Sequence, residues 1–193
     1  MVRMAFRTSI SVVLLLLALS SLSFAQTKSP ISEINAYTTE IDRFIKTNKK
    51  HRIFADTATE DDKDEMWKEF KSNKEVEDSA SYSNAALWTK NGKVVAVQCE
   101  FSSGSGDWVH YANYYFREDG SLARIHAQLN TFYGDVSVVR DRYYSQDGKL
   151  LKSTKRILDL YTQKPKRNKA RDFFDNPVRV YLKVSSLPFH KLL

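Results

Sequence analysis

Three Asn/Asp-Gly pairs, Asn91-Gly92, Asp119-Gly120 and Asp147-Gly148, recur at intervals of 28 residues. Each sits in the same frame: an aromatic, two residues, Asn or Asp, Gly, one residue, an aliphatic. The instances run from Trp88 to Val94, Phe116 to Leu122 and Tyr144 to Leu150. Asn-Gly and Asp-Gly tolerate the positive φ of hairpin turns. A period of 28 is two strands and two turns, so the frame dictates an antiparallel meander. A three-residue loop sets the aromatic opposite the aliphatic, a pair that contributes about 0.2–1 kcal/mol. A two-residue loop opposes it instead to Val95, Ala123 or Leu151.

The intervening segments read as strands: "SNAALWTK", "KVVAVQCEFSS", "WVHYANYYF", "SLARIHAQLNTFY", "VSVVRDRYYS" and "KLLKSTKRILDLYT". A last strand, "VRVYLKV", follows Pro177. Alternation puts Trp108, His110, Ala112, Tyr114 and Phe116 on one face with Ala123, Ile125, Ala127 and Leu129. The other face carries Tyr111, Asn113, Tyr115, Arg124, His126 and Gln128. One face reads as buried and the other as wet, as in a half-covered antiparallel sheet.

Before the meander, "SPISEINAYTTEIDRFIKTNKK" has the 3.6-residue period of a helix. Ser29 serves as N-cap and Pro30 as first residue. "HRIFADTA" suits a strand or a loop. Acidic residues followed by Met66, Trp67 and Phe70 suggest a second, short helix. The expected fold is α+β: one or two N-terminal helices on a six- to seven-stranded antiparallel meander. Residues 26–80 form the helical region and 81–193 the sheet, folding as one domain.

The first 25 residues read as a cleavable signal peptide. Arg3 and Arg7 precede a short apolar core, and Ser23-Phe24-Ala25 supplies a cut before Gln26. The uninterrupted apolar run Val12–Leu19 is too short for a span of about 20 residues. Removing the two arginines takes the net charge from +7 to +5. Cys99 is the single cysteine, so an intramolecular disulfide is excluded. With no Asn-x-Ser/Thr sequon, these features fit a bacterial periplasmic or secreted protein.

Chemistry-bearing motifs are few. There is no Gly-x-Ser-x-Gly elbow. Cys99 alternates with Val95, Val97 and Phe101 and reads as core. His51, His110, His126 and His190 show no ligand spacing, and "DTATEDDKDE" fails as a calcium loop at Ala58 and Asp61. Neither metal nor cofactor is expected. A two-residue turn at Gly134-Asp135 would put Arg140 and Arg142 on the otherwise apolar face. Two arginines there need partners or an anion pocket. The candidate ligand-binding set is therefore Trp108, His110, Tyr114, Arg140 and Arg142.

Charge divides along the chain: net −3 over 28–80 and +8 over 81–193. Lys164, Lys166, Arg167, Lys169 and Arg171 crowd the basic loop 162–172. In an exported protein they suit an anionic envelope surface rather than nucleic acid. The expected function is a non-catalytic binding or interaction module for a small ligand, peptide or envelope component. The alternative is a small-molecule pocket protein, or a small hydrolase or isomerase of cone-shaped α+β fold, with His110 working beside Arg or Asp. A structural envelope component is the third class.

Overall fold

The computed structural model describes residues 29–59, 62–167 and 178–193. The expected signal peptide, and Lys169 and Arg171 of the basic loop, lie outside the described residues.

Helix α1, Pro30–Thr47, starts where Ser29 Oγ accepts the Ser32 N–H at 3.2 Å and proline occupies the first turn. Its buried stripe is Ile34, Thr38 and Ile41, the i, i+4, i+7 face of an amphipathic helix. Strands β1 (Arg52–Asp56) and β2 (Trp67–Phe70) then form an antiparallel pair. Six strands follow: β3 (Ser83–Lys90), β4 (Lys93–Ser102), β5 (Trp108–Phe116), β6 (Leu122–Thr131), β7 (Val136–Tyr144) and β8 (Leu150–Asp159). All eight belong to one antiparallel sheet, ordered β2-β1-β3-β4-β5-β6-β7-β8.

Three expectations need correction. The sheet has eight strands because the 51–70 region adds a hairpin beside β3. The described residues between 29 and 80 are thus only partly helical. Met66, Trp67 and Phe70 do not form a helix; Trp67 and Phe70 pair with Asp56 and Ile53. The short helix α2, Asn73–Asp78, begins after them, where Ser72 accepts the Glu75 N–H and the Glu75 carboxylate accepts the Lys71 N–H. This is a capping-box-like exchange. Finally, "VRVYLKV" is not a strand. It makes a single bridge, Ser121 to Lys183, and ends in short 3-10 turns, Val184–Ser186 and His190–Leu192. Instead of pairing with an edge strand, the tail crosses one face of the sheet, where Val178, Leu187 and Phe189 are buried against Phe54, Tyr114 and Phe116.

The repeated turns differ in detail. Asn91 and Gly92 both have positive φ and close a two-residue loop between Lys90 and Lys93. At the other two only the glycine is positive, and Phe116 faces Leu122 as Tyr144 faces Leu150. Trp88 faces Ala96 instead of Val94. In all three hairpins the register then shifts at a β-bulge. The bulge turns Ala123 away from the face that alternation assigns it: Leu122 joins Ile125 in the tail-side core, whereas Ala123 packs with Ile34 of the helix.

Side chains therefore pack against both faces of the sheet. On the tail side, Phe54, Leu87, Val97, Tyr114, Phe116 and Ile125 pack with Val178, Leu187 and Phe189. The Phe54 and Phe189 rings stack at 4.4 Å. On the helix side, Trp88, Val95, Ala96 and Tyr115 meet Ile41, Tyr37 and Phe44. Among the described residues no helix is long and apolar enough to cross a membrane.

Candidate functional site

A cleft of about 200 Å³ opens on the tail side of the sheet. Trp108, His110, Ala112 and Tyr114 reach it from β5 by alternation, and Phe101 and Ser83 come from β4 and β3. Val178 and Arg179 of the tail, with Glu65 from the β1–β2 connection, close the opposite wall. Three of the five expected ligand residues, Trp108, His110 and Tyr114, thus meet in one place.

Arg140 and Arg142 lie on this same face, opposite Ala127 and Ile125, but do not line the cleft. The β6–β7 loop is four residues long, with Thr131 opposite Val136. Its parity equals that of a two-residue turn, which preserves the expected side. Arg140 acts at a distance: burial, then the Arg140 charge, lower the pKa of His110. His110 is only 8% exposed. Both effects favour the neutral imidazole, which offers one donor and one acceptor.

The polar rim is already partnered. Glu65 forms an ion pair with Arg179 and accepts the Trp67 indole N–H at 2.9 Å. Burial opposes ionisation of Glu65, but those two bonds outweigh it and lower its pKa. Tyr114 donates its hydroxyl to the Arg179 carbonyl at 2.9 Å, pinning the tail. Desolvation pushes the Tyr114 pKa far up, so it remains a phenol. Cys99, the strand partner of Ala112, is buried and its thiol is pushed up to about 12, which denies it thiolate reactivity at neutral pH.

Among the described residues, a histidine–carboxylate pair lies on the other face. His126 Nδ1 is 3.0 Å from Asp141 Oδ1, which also accepts Arg124 Nε at 3.1 Å and Nη2 at 2.5 Å. Arg124 continues to Thr38 of α1. Burial raises the Asp141 pKa, but bonds from His126 and Arg124, with their charges, bring it down to about 2. Strand pairing alone aligns His126 with Asp141 and Arg124 with Tyr143.

The basic loop is split by the structure. Lys166 donates to the carbonyls of Gly134 and Asp135 at 3.0 Å each and pairs with Asp159 at 3.3 Å. Lys164 and Arg167 are exposed. Among the described residues no three His, Cys, Asp or Glu side chains could share a metal ion.

Sequence reasoning missed Glu65 and Arg179, which are 114 residues apart. The tail was read as a strand, so nothing placed Arg179 over β5. Phe101 was readable by alternation with Cys99 as a residue of the same face. No protein-family model, curated protein or solved structure matches the chain.

Proposed function

We propose that the protein is a non-catalytic binding module whose ligand occupies the Trp108–His110–Tyr114 cleft. One observation carries this reading: aromatic walls and a neutral, buried imidazole converge on a cavity whose nearby carboxylate is already committed. Glu65 is bound to Arg179 and Trp67, so His110 is not arranged as the base of an acid–base pair. The small hydrolase or isomerase reading loses support on that ground. A volume of about 200 Å³ is below the ~300 Å³ of sites for drug-sized ligands. The fitting guest is a single uncharged ring, stacked against Trp108 and Phe101 and hydrogen-bonded to His110.

The test titrates indole and phenol into the protein by calorimetry, with the charged ring of benzoate expected to bind at least about tenfold more weakly. Indole or phenol saturates with a dissociation constant at or below about 1 mM, and His110→Leu and Trp108→Phe abolish the response. The reading fails if neither neutral ring saturates, or if both variants bind as the parent does.

We also propose export, through the leader ending at Ala25. Fractionated cells should yield a chain starting at Gln26; a cytoplasmic chain keeping Met1 would refute it.

A further inference from the structure

The helix-side face carries a second surface that the cleft does not use. Helix α1 packs on the row containing Trp88, Ala96 and Tyr115. Two rows lie beyond it in strict register. One runs Gln98, Asn113, His126, Asp141 across β4 to β7. The next runs Asn84, Glu100, Tyr111, Gln128 across β3 to β6. Asn130, two residues beyond Gln128, extends the same face. Five carboxamides therefore occupy the centre of the sheet, although asparagine is depleted in strands.

These side chains are half-buried. The carboxamides of Asn84, Gln98 and Asn113 make no hydrogen bond to another described residue. Gln128 Nε2 donates to Asn130 Oδ1 at 3.0 Å and to Ser137 Oγ at 2.9 Å, while its carbonyl oxygen has no described partner. With His126 Nδ1 turned to Asp141, His126 Nε2 has no described partner on a side chain that is about a third exposed. Among the described residues no buried side-chain nitrogen or oxygen lacks a partner, so these carboxamide atoms reach solvent, where a ligand's hydroxyls can take the place of water.

We propose that this carboxamide field binds a neutral polyhydroxylated ligand, a glycan chain laid across β3 to β6. A carboxamide presents two donors and an acceptor side by side, which matches hydroxyls that each donate and accept. Tyr111, 40% exposed in the middle of the second row, supplies a flat apolar face for a sugar ring. Arg124 and Asp141 form an ion pair. Glu100 is a lone carboxylate in the second row, whose ends carry Lys68 on β2 and Arg156 on β8, so no block of one sign faces a ligand. An uncharged occupant fits such a surface better than an acidic or basic peptide.

The experiment titrates the purified protein with cellohexaose, chitohexaose and maltohexaose by calorimetry and NMR. At least one binds, with affinity changing less than about twofold between low and high salt. Gln98→Ala with Asn113→Ala, and separately Tyr111→Ala, each weaken it at least about tenfold, the scale of one or two lost hydrogen bonds. The same variants leave the melting temperature and indole binding in the cleft unchanged, which separates this site from the cleft. The proposal is overturned if none of the three binds, or if the variants bind equally well. It is equally overturned if the face instead takes a charged peptide in a salt-sensitive way, or a second copy of the chain by sedimentation.

Discussion

Asp141→Asn probes the network that joins helix to sheet. Asp141 is 7% exposed and accepts from Arg124 and His126. Its pKa falls from 3.8 to about 2, because those bonds and charges outweigh burial. At about 1.4 kcal/mol per pKa unit, a depression of this size corresponds to about 2 kcal/mol of stability at neutral pH. The folded pKa lies below the unfolded one. The contribution is therefore complete above about pH 4 and is lost as pH falls towards 2. Asparagine also leaves the Arg124 guanidinium partly buried without its counter-charge, which adds to the cost. Urea unfolding at pH 7 should show the variant roughly 2–4 kcal/mol less stable. At about pH 2.5 the electrostatic part of that gap should shrink to under about 1 kcal/mol. A gap that is the same at both pH values, or below about 0.5 kcal/mol at pH 7, would show that the carboxylate does not hold these elements together.

Tyr114→Phe removes the hydroxyl bonded to the Arg179 carbonyl. It should cost about 1 kcal/mol and speed proteolytic cleavage of residues 178–193; an unchanged cleavage rate would count against the pinning role. Gly148→Ala forces a Cβ into φ +85°, with Leu182 Cδ1 at 3.4 Å. It should lower thermal stability by about 1 kcal/mol or more, whereas a neutral or stabilising outcome would contradict the turn geometry.

Six strands of the sheet were legible because each ends at a glycine-bearing turn and alternates over its length. The β1–β2 hairpin was not. Met66, Trp67 and Phe70 have spacing that suits a helix face, and only pairing with β1 overrides it. Ser72 and Glu75 carried the correct helix start six residues later than Met66. In the tail, "VRVYLKV" alternates like a strand, yet Val180 and Leu182 are exposed while Val178 is buried. Alternation signals extended backbone and is silent about whether the segment pairs with an edge or lies across a face. The cleft was half legible for the same reason. Trp108, His110 and Tyr114 follow from period two within one strand, whereas the Glu65–Arg179 wall depends on contacts between distant segments.

The bulges behind the repeated turns constrain how such a chain can change length. Each hairpin end spends one extra residue to redirect a neighbouring aliphatic, and does so at the same level of the sheet. Removing 28 residues, from Lys93 through Gly120 for instance, deletes two whole strands and preserves both strand polarity and the face each side chain meets. Removing one residue within a strand sends its inward set outward. The domain can thus shrink or grow in quanta of one hairpin pair, and length variation inside that quantum is confined to the loops at the opposite end, 103–107 and 132–135.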